Sequence, residues 1–262
     1  MKSFHCLADN LRESFRALSE GKPRGSAVEL PGVSIASLGV TFQMFNAAFP
    51  SQFIESQGEL IQRLSVAAEY FRANHLRWAF WICEDWLAYS VRKKLSRTCE
   101  DFGLRLASDM PGLAASAICA PSRKIPPLDV RPVRTAEALE DFRALGSTCF
   151  HVPAAWFAEV FDPSISFQEK FICRVGYSSG VPVATVATVA SHGAIGVYNV
   201  ATAPEYRQRG YAEAITRYAI EAALRETEAE KVVLQSTSQG LGLYERMGFE
   251  TITRILVYNS TP

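Results

Sequence analysis

The second half of the chain alternates short apolar runs with amphipathic segments, a pattern typical of mixed α/β folds. The apolar runs are rich in Val and Thr and predict strands, whereas apolar residues three or four positions apart predict helices. In chain order the pattern predicts a strand at 128–133, helices at 135–150 and 154–161, strands at 170–177, 182–190 and 194–202, a helix at 211–229, a strand at 231–236, a helix at 241–247 and a strand at 249–258. We therefore expect a fold of the α/β class (mixed α+β).

One part of this pattern, from 194 to 236, is strand–helix–strand, which predicts two parallel strands with a right-handed crossover. Ligands bind such sheets at the carboxyl ends of the strands, where Arg207, Arg209 and Gly210 precede the helix. A helix N-terminus offers unpaired N–H groups and partial positive charge, and a glycine lets an anion approach. We expect a phosphate to bind there. The alternative is a simple turn with solvated arginines.

The first half repeats this order in a weaker form. The pattern predicts strands near a turn at 39–49, a helix at 56–75, a strand at 76–84, and a helix followed by a strand at 89–107. The segment EDFGL at 100–104 takes the place that ERMGF takes at 245–249. We infer a degenerate tandem repeat, with a first domain at 1–120, a proline-rich linker at 121–127 and a second domain at 128–262.

Four aromatic residues stand out in the first half, namely Trp78, Phe80, Trp81 and Trp86. Aromatic side chains dominate both cores and interfaces, so we expect these to pack in the core or between the halves. The alternative is that they wall a substrate pocket between the halves.

Composition and charge narrow the function classes. Lysine plus arginine equals aspartate plus glutamate, 27 each, which argues against a nucleic-acid-binding protein. The six cysteines form no Cys-x-x-Cys pair, so we expect no metal site. The sequence starts without a signal-peptide pattern, which predicts reduced thiols and a cytoplasmic location. Residues 175–204 carry no charge, but Ser, Gly and Pro interrupt them, so we expect strands and no membrane contact.

Two motifs carry a resemblance to a known family. Residues 207–212, RQRGYA, are similar to the Arg/Gln-x-x-Gly-x-Gly/Ala signature of GCN5-related N-acetyltransferases (GNAT), with Ala212 where glycine is also common. Residues 244–249, YERMGF, resemble the second signature, a tyrosine four residues before Gly-Phe. The resemblance covers about 128–258. It implies the acyl-CoA N-acyltransferase fold in two tandem GNAT-like halves, the first degenerate, and transfer of an acetyl group from acetyl-CoA to an amine.

The resemblance also implies roles for individual residues. Backbone amides of the signature loop would hold the CoA pyrophosphate, the preceding strand would pair with the pantetheine arm, and Tyr244 would protonate the leaving thiolate. Ser236 could hydrogen-bond the pantetheine or a water, or it could cap the following helix. The expected cofactor-binding residues are Asn199, Val200, Ala201, Arg207, Gln208, Arg209, Gly210, Tyr211, Ala212 and Ser236.

The general base and the overall function leave alternatives open. The base that deprotonates the amine could be Glu159, Glu169, His151 or His192, or a chain of waters. We expect an acetyltransferase in which a primary amine of a small molecule or peptide attacks acetyl-CoA directly in a ternary complex. The alternative is a non-catalytic CoA-binding module that acts as a sensor or binds a partner, and Tyr244 favours the enzyme. A homodimer is possible in either case.

Overall fold

A single sheet of 11 strands runs through both halves of the chain in the computed structural model, which describes residues 3–166 and 169–261. The strands are β1 (Ser26–Leu30), β2 (Val33–Ser37), β3 (Asn46–Pro50), β4 (Ala79–Cys83), β5 (Leu104–Ala115), β6 (Asp129–Pro132), β7 (Ile172–Ser178), β8 (Val181–Ser191), β9 (Ala194–Thr202), β10 (Lys231–Gln235) and β11 (Glu250–Ser260). The helices are α1 (Ser3–Ser19), α2 (Gln57–Ala73), α3 (Tyr89–Arg92), α4 (Leu95–Asp101), α5 (Ala136–Phe150), α6 (Ala154–Val160), α7 (Pro163–Ser166), α8 (Tyr211–Glu226) and α9 (Leu241–Arg246).

The elements predicted for the second half are all present, with α8 ending at Glu226 rather than at 229. The first half differs more. The hairpin of β1 and β2 and the helix α1 were not predicted, and the segment 39–49 is mainly a turn and a short 3₁₀ helix that leads into β3. The signal for α1 was present in the sequence, because its buried apolar residues recur at helical spacing. They are Phe4, Leu7, Leu11, Phe15 and Leu18.

The strand order is β1-β2-β3-β4-β11-β5-β10-β9-β8-β7-β6. The last strand of each half pairs with a strand of the other half: β5 pairs with β10, and β11 pairs with β4. Apart from β6, the sheet is symmetric. If β1 to β5 are replaced in turn by β7 to β11 and the reverse, the strand order read from the opposite edge is the same. Gly103 and Gly248, which follow the corresponding helices, both have positive φ, +69° and +94°. This symmetry supports the tandem repeat, while the limits of the two domains stay a prediction.

Helix α1 joins the halves on one face of the sheet. Its Phe15 packs in a cluster with Trp81 of the first half and Val233 of the second. The side chain of Asn10 is fully buried, and its amide donates to the carbonyl oxygens of Val189 and Ala194 at 3.1 and 3.2 Å. Its Oδ1 accepts a hydrogen bond of 2.6 Å from the Tyr198 hydroxyl. A helix of the first half therefore helps to fix β8 and β9 of the second.

The other face of the second half carries α8 and α9. Ile215 of α8 and Tyr244 of α9 pack in one cluster with Val197 of β9 and Leu234 of β10. This face is therefore distinct from the one that α1 covers, and we call them the α8 face and the α1 face. Among the described residues, no helix is both long enough and apolar enough to cross a membrane.

The aromatic residues of the first half take mainly structural positions. Trp78 and Phe80 are buried in the core beneath α2, and Trp81 is buried against α1 with its indole N–H donating to the Met44 carbonyl at 3.1 Å. Trp86 is half-buried and meets Phe4 edge-on. This is the packing role expected from the sequence.

The segment between β5 and β6 runs along α8. The Arg217 guanidinium donates to the Cys119 carbonyl at 2.6 Å, and Arg123 pairs with Glu213 at 3.8 Å. Pro126 lies over the start of the helix, where its Cδ would be 3.0 Å from a Cβ placed on Gly210. The linker therefore packs against the helix whose N-terminus is the predicted anion site.

Candidate functional site

Two neighbouring parallel strands separate at their carboxyl ends. Residues Ala194–Val197 of β9 pair with Lys231–Leu234 of β10. Beyond that point, among the residues that the structure describes, β9 pairs with β8 alone. β10 stays paired with β5 through Gln235, and the Ser236 amide donates to the Pro111 carbonyl at 3.0 Å. We call this opening, between residues 198–202 and 235–236, the fork. An extended ligand can add to the free edge of a strand by β-augmentation.

A bulge shapes the free edge of β9. The register between β8 and β9 shifts opposite Thr185 and Ala187, and Asn199 has a positive φ of +50°. The Thr185 hydroxyl donates to the Asn199 carbonyl at 2.8 Å and holds the bulge in place. A bulge re-aims the backbone groups next to it. Asn199, Val200 and Ala201, which were expected to face a pantetheine arm, therefore lie on the irregular edge of the fork.

The signature loop leads from β9 to α8. A short 3₁₀ helix at Pro204–Tyr206 is followed by Gln208 and Gly210, which have φ of +62° and +91°. Within the described part of the chain, the backbone amides of residues 208–212 donate no hydrogen bond to another protein group. Five consecutive free amides at the start of a 16-residue helix form a suitable cradle for a phosphate group.

The side chains of the loop are arranged around this cradle. The exposed Arg207 donates from Nε to the Thr202 carbonyl at 3.2 Å, and the exposed Arg209 lies 5.4 Å over the Tyr206 ring. The Tyr211 hydroxyl is hydrogen-bonded to the Ser178 hydroxyl at 2.9 Å. The two arginines therefore supply positive charge in solvent beside the amides, and Tyr211 fixes the first turn of α8.

Tyr244 and Ser236 meet near the end of β10. The ring of Tyr244 and the Ser236 hydroxyl both lie beside Gly240, within 3.3 and 2.9 Å of a Cβ placed there. Tyr244 is buried, and burial raises the pKa of its hydroxyl above the usual range for tyrosine. Among the described residues, no protein group is hydrogen-bonded to that hydroxyl. A protonated phenol without a protein partner is available to donate to a ligand.

Ser236 does not cap α9. Its hydroxyl donates to the carbonyl of Thr237 at 2.8 Å. The Thr237 hydroxyl instead accepts from the amide of Gly240, the N-cap residue directly before α9, at 3.3 Å. The capping role considered for Ser236 is therefore wrong, because the hydroxyl that bonds the amide at the start of the helix is that of Thr237.

The candidate bases are scattered. His192 lies in the turn before β9, at the opposite end of that strand from the fork. The fork begins six residues further along, which is roughly 20 Å for a strand that rises about 3.3 Å per residue. His151 and Glu169 are exposed. The Glu159 carboxylate accepts hydrogen bonds from the amide and hydroxyl of Thr41 at 2.8 and 3.1 Å. The distance excludes His192 as a base at the fork.

The corresponding opening in the first half is filled by the chain itself. Beyond β3 and β4, Ile54 forms a parallel bridge with Leu87, and the Ile54 amide donates to the Trp86 carbonyl at 2.8 Å. The N-terminus of α2 is capped by Ser56, whose hydroxyl accepts from the Glu59 amide at 3.3 Å. The Glu59 carboxylate also accepts a hydrogen bond from the Glu55 amide at 3.1 Å, so protein side chains already occupy this helix start. The first half therefore lacks both the free strand edge and the anion cradle.

Comparison with known proteins agrees with this geometry. A family model described as "Acetyltransferase (GNAT) domain" matches residues 169–251, a range that contains the fork and both motifs. A sequence comparison with curated proteins gives no match. In the described residues, no group of three His, Cys, Asp or Glu side chains could hold a metal ion.

Several solved structures are similar to this chain over most of its length. A GCN5-related N-acetyltransferase from Kribbella flavida has a TM-score of 0.70 at 19% identity, with 96% of this chain and 95% of that one covered. A conserved protein of unknown function from Staphylococcus epidermidis has a TM-score of 0.67 at 12% identity, covering 90% and 94%. A GCN5-related N-acetyltransferase from Sphaerobacter thermophilus has a TM-score of 0.56 at 16% identity, covering 88% and 78%. These likenesses show the fold.

Proposed function

We propose that this chain, which carries a GNAT acetyltransferase domain at residues 169–251, transfers an acetyl group from acetyl-CoA to a primary amine of a small molecule or a peptide. The observation that carries the proposal is the fork between β9 and β10, directly beside the five free amides at the start of α8. A free strand edge and an anion cradle at adjacent positions match the two ends of an acyl-pantetheine arm that carries a pyrophosphate.

Each part of the site has a role in this reaction. The amides of residues 208–212 bind the pyrophosphate, and the edge of β9 at 199–201 orients the arm. The neutral amine nitrogen attacks the carbonyl carbon of the thioester in a ternary complex, gives up one proton to a base or to water, and the C–S bond breaks. Tyr244 donates its proton to the departing thiolate, which its raised pKa allows because the phenol stays protonated at neutral pH.

The release of free CoA tests the proposal. Purified protein is incubated with acetyl-CoA and a panel of primary amines that includes amino acids, polyamines, amino sugars and short peptides. We expect at least one amine to accelerate CoA release above the rate without amine, with one acetylated amine formed per CoA. Acetyl-CoA binding without accelerated release by any amine favours the non-catalytic CoA-binding module instead.

The number of sites is a separate prediction. Titration calorimetry should give one acetyl-CoA per chain, because within the described residues the second half has an open fork and the first half does not. The first half closes the corresponding opening with the bridge between Ile54 and Leu87. Two equivalent sites per chain would contradict this interpretation of the first half.

A further inference from the structure

Five buried side-chain atoms in the described residues have no hydrogen-bond partner, and two of them lie at the fork. The five atoms are Gln57 Oε1, Thr202 Oγ1, Thr216 Oγ1, Gln235 Nε2 and Asn259 Oδ1. Thr202 and Gln235 are the last residues of β9 and β10. A buried polar group without a partner destabilises the fold, so such groups need an explanation. A ligand in the fork provides one for both.

The position of Gln235 in β10 determines the face on which its side chain lies. Val233 packs in the cluster that contains α1, and Leu234 packs in the cluster on the α8 face. Side chains alternate along a strand, so Gln235 follows Val233 to the α1 face. Its cross-strand partner Gly112 is on the same face, since a Cβ there would lie 3.1 Å from the Leu7 side chain of α1.

Gln235 and Tyr244 therefore flank the fork from opposite faces of the sheet. Tyr244 belongs to the cluster on the α8 face, where the anion cradle also lies at the start of α8. An arm that is anchored at the cradle and passes through the fork brings its far end to the α1 face. A thioester at that end has its sulfur closer to Tyr244 and its acyl group closer to Gln235.

We propose that the Gln235 carboxamide donates a hydrogen bond from Nε2 to the carbonyl oxygen of the acyl thioester. This inference rests on the proposed function. The amide nitrogen of a glutamine is only a donor, and a carbonyl oxygen is only an acceptor, so the two are complementary. The bond satisfies the one atom of this side chain that the protein leaves buried without a partner.

The hydrogen bond also assists the reaction. When the amine nitrogen bonds to the carbonyl carbon, the π electrons of the C=O bond move onto the oxygen. They return when the C–S bond breaks, and the sulfur takes the electron pair of that bond and the proton of Tyr244. The proton that the amine nitrogen gives up to water then restores the Tyr244 phenol. A fixed donor at the oxygen stabilises the charge that develops between these steps, so Gln235 acts as a catalytic residue on the acyl group.

Acetyl-CoA labelled with ¹³C at the acetyl carbonyl tests the contact directly. The carbonyl ¹³C resonance is measured for the ligand free, bound to the full wild-type chain, and bound to Gln235→Met, which has a similar size and no donor. We expect a downfield shift on binding to the wild type and loss of most of that shift in Gln235→Met. The matched control is Asn259→Leu, which also removes a buried carboxamide with an unpaired atom but lies in β11 beside β4, and it should keep the full shift.

Kinetics give a second measurement. With an amine found in the CoA-release assay, Gln235→Met should lower kcat about 10²–10³-fold, the range for removing one such donor, with the KM for acetyl-CoA changed less than threefold. An equal bound shift and an equal kcat in the wild type and Gln235→Met would overturn the inference and leave the proposed function standing. This is the result expected if Gln235 Nε2 donates to a buried water molecule instead of to the thioester. Absence of acetyl-CoA binding to the wild type would overturn both.

Discussion

Tyr244 is placed at the end of β10 by packing rather than by polar contacts. Its ring lies 5.7 Å from that of Phe249, at an angle of 73°, and in the described residues no protein group is hydrogen-bonded to its hydroxyl. In Tyr244→Phe the ring contacts remain and only the proton donor is lost. We expect kcat to fall about 10²–10⁴-fold, with acetyl-CoA affinity nearly unchanged because the lost interaction forms chiefly in the transition state. Steady-state rates and calorimetry check the two quantities.

Tyr258→Phe is the matched control for Tyr244. Tyr258 is also buried, and burial also raises the pKa of its hydroxyl. That hydroxyl is hydrogen-bonded to the Ser96 hydroxyl at a distance of 3.0 Å, in a part of the molecule away from the fork. That variant should keep kcat. An unchanged kcat in Tyr244→Phe, under conditions in which chemistry limits the rate, would rule out Tyr244 as the acid.

Gly210 is constrained twice, which affects how it can be tested. Its φ of +91° disfavours any side chain, and a Cβ would lie 3.0 Å from Pro126 Cδ. Gly193 has a φ of +72° and open space around the same position. We expect both Gly210→Ala and Gly193→Ala to lower the thermal midpoint, by an amount that corresponds to about 1–2 kcal/mol for a left-handed residue. Gly210→Ala should lose more, because Pro126 must also move.

Calorimetry of thermal unfolding distinguishes these contributions. Equal losses in the two glycine variants would mean that the contact with Pro126 adds nothing. A loss of acetyl-CoA affinity in a Gly210 variant combines effects on the fold and on the site, so it does not by itself locate the phosphate.

At this scale some residues of the proposed site can be predicted from the sequence and others cannot, for physical reasons. The motifs bring together residues 207–212 and Tyr244 because local spacing encodes a helix start and a short helix. Gln235 belongs to no sequence motif. What marks it is a buried side-chain amide nitrogen without a hydrogen-bond partner, which is visible only in the folded structure. The second constraint on Gly210 comes from Pro126, which is distant in sequence and meets the glycine only after folding.

At the scale of elements, α8 is central because its first turn carries the free amides. Ala212 is the second residue of α8, a position where proline removes one amide without breaking a helical hydrogen bond. We expect Ala212→Pro to weaken acetyl-CoA binding about 10- to 100-fold, since a hydrogen bond to a charged group contributes about 1.5–3 kcal/mol. Titration calorimetry measures the affinity.

Glu137→Pro is the matched control for this helix start. Glu137 is the second residue of α5, whose cap Thr135 accepts from the Ala138 amide at 3.2 Å, and it is exposed. Glu137→Pro should leave the affinity for acetyl-CoA unchanged, while it lowers the stability of the fold about as much as Ala212→Pro does. Equal affinities in Ala212→Pro and Glu137→Pro would mean that the amide of Ala212 does not contact the cofactor.

Element prediction succeeds where one segment decides the outcome. The crossover from β9 through α8 to β10 follows from its pattern, and the parallel pairing agrees. The neighbours of β5 and β11 do not follow from any local pattern, because each of the two strands pairs with strands of the other half. The fork has the same origin, since β10 stays paired with β5 through Gln235 after its pairing with β9 has ended at Leu234.

At the scale of the whole molecule, the exchange of last strands makes the halves depend on one another. A fragment 1–120 lacks β11, which lies between its β4 and β5, and a fragment 121–262 lacks β5 beside β10. We expect each fragment alone to lack a cooperative thermal transition, and the two together to regain the transition and acetyl-CoA binding. Calorimetry of the separate and co-expressed fragments checks this. Two independently folding fragments would contradict it.

The position of β11 also bears on synthesis at the ribosome. Translation proceeds from the N-terminus, so β4 and β5 emerge long before the strand that joins them. Until β11 is made, the nascent chain keeps two unpaired strand edges, and such edges invite pairing with other chains. The pairing of the first half is therefore complete only after β11 has been made. We expect a chaperone to protect the exposed edges of β4 and β5 during the interval before that.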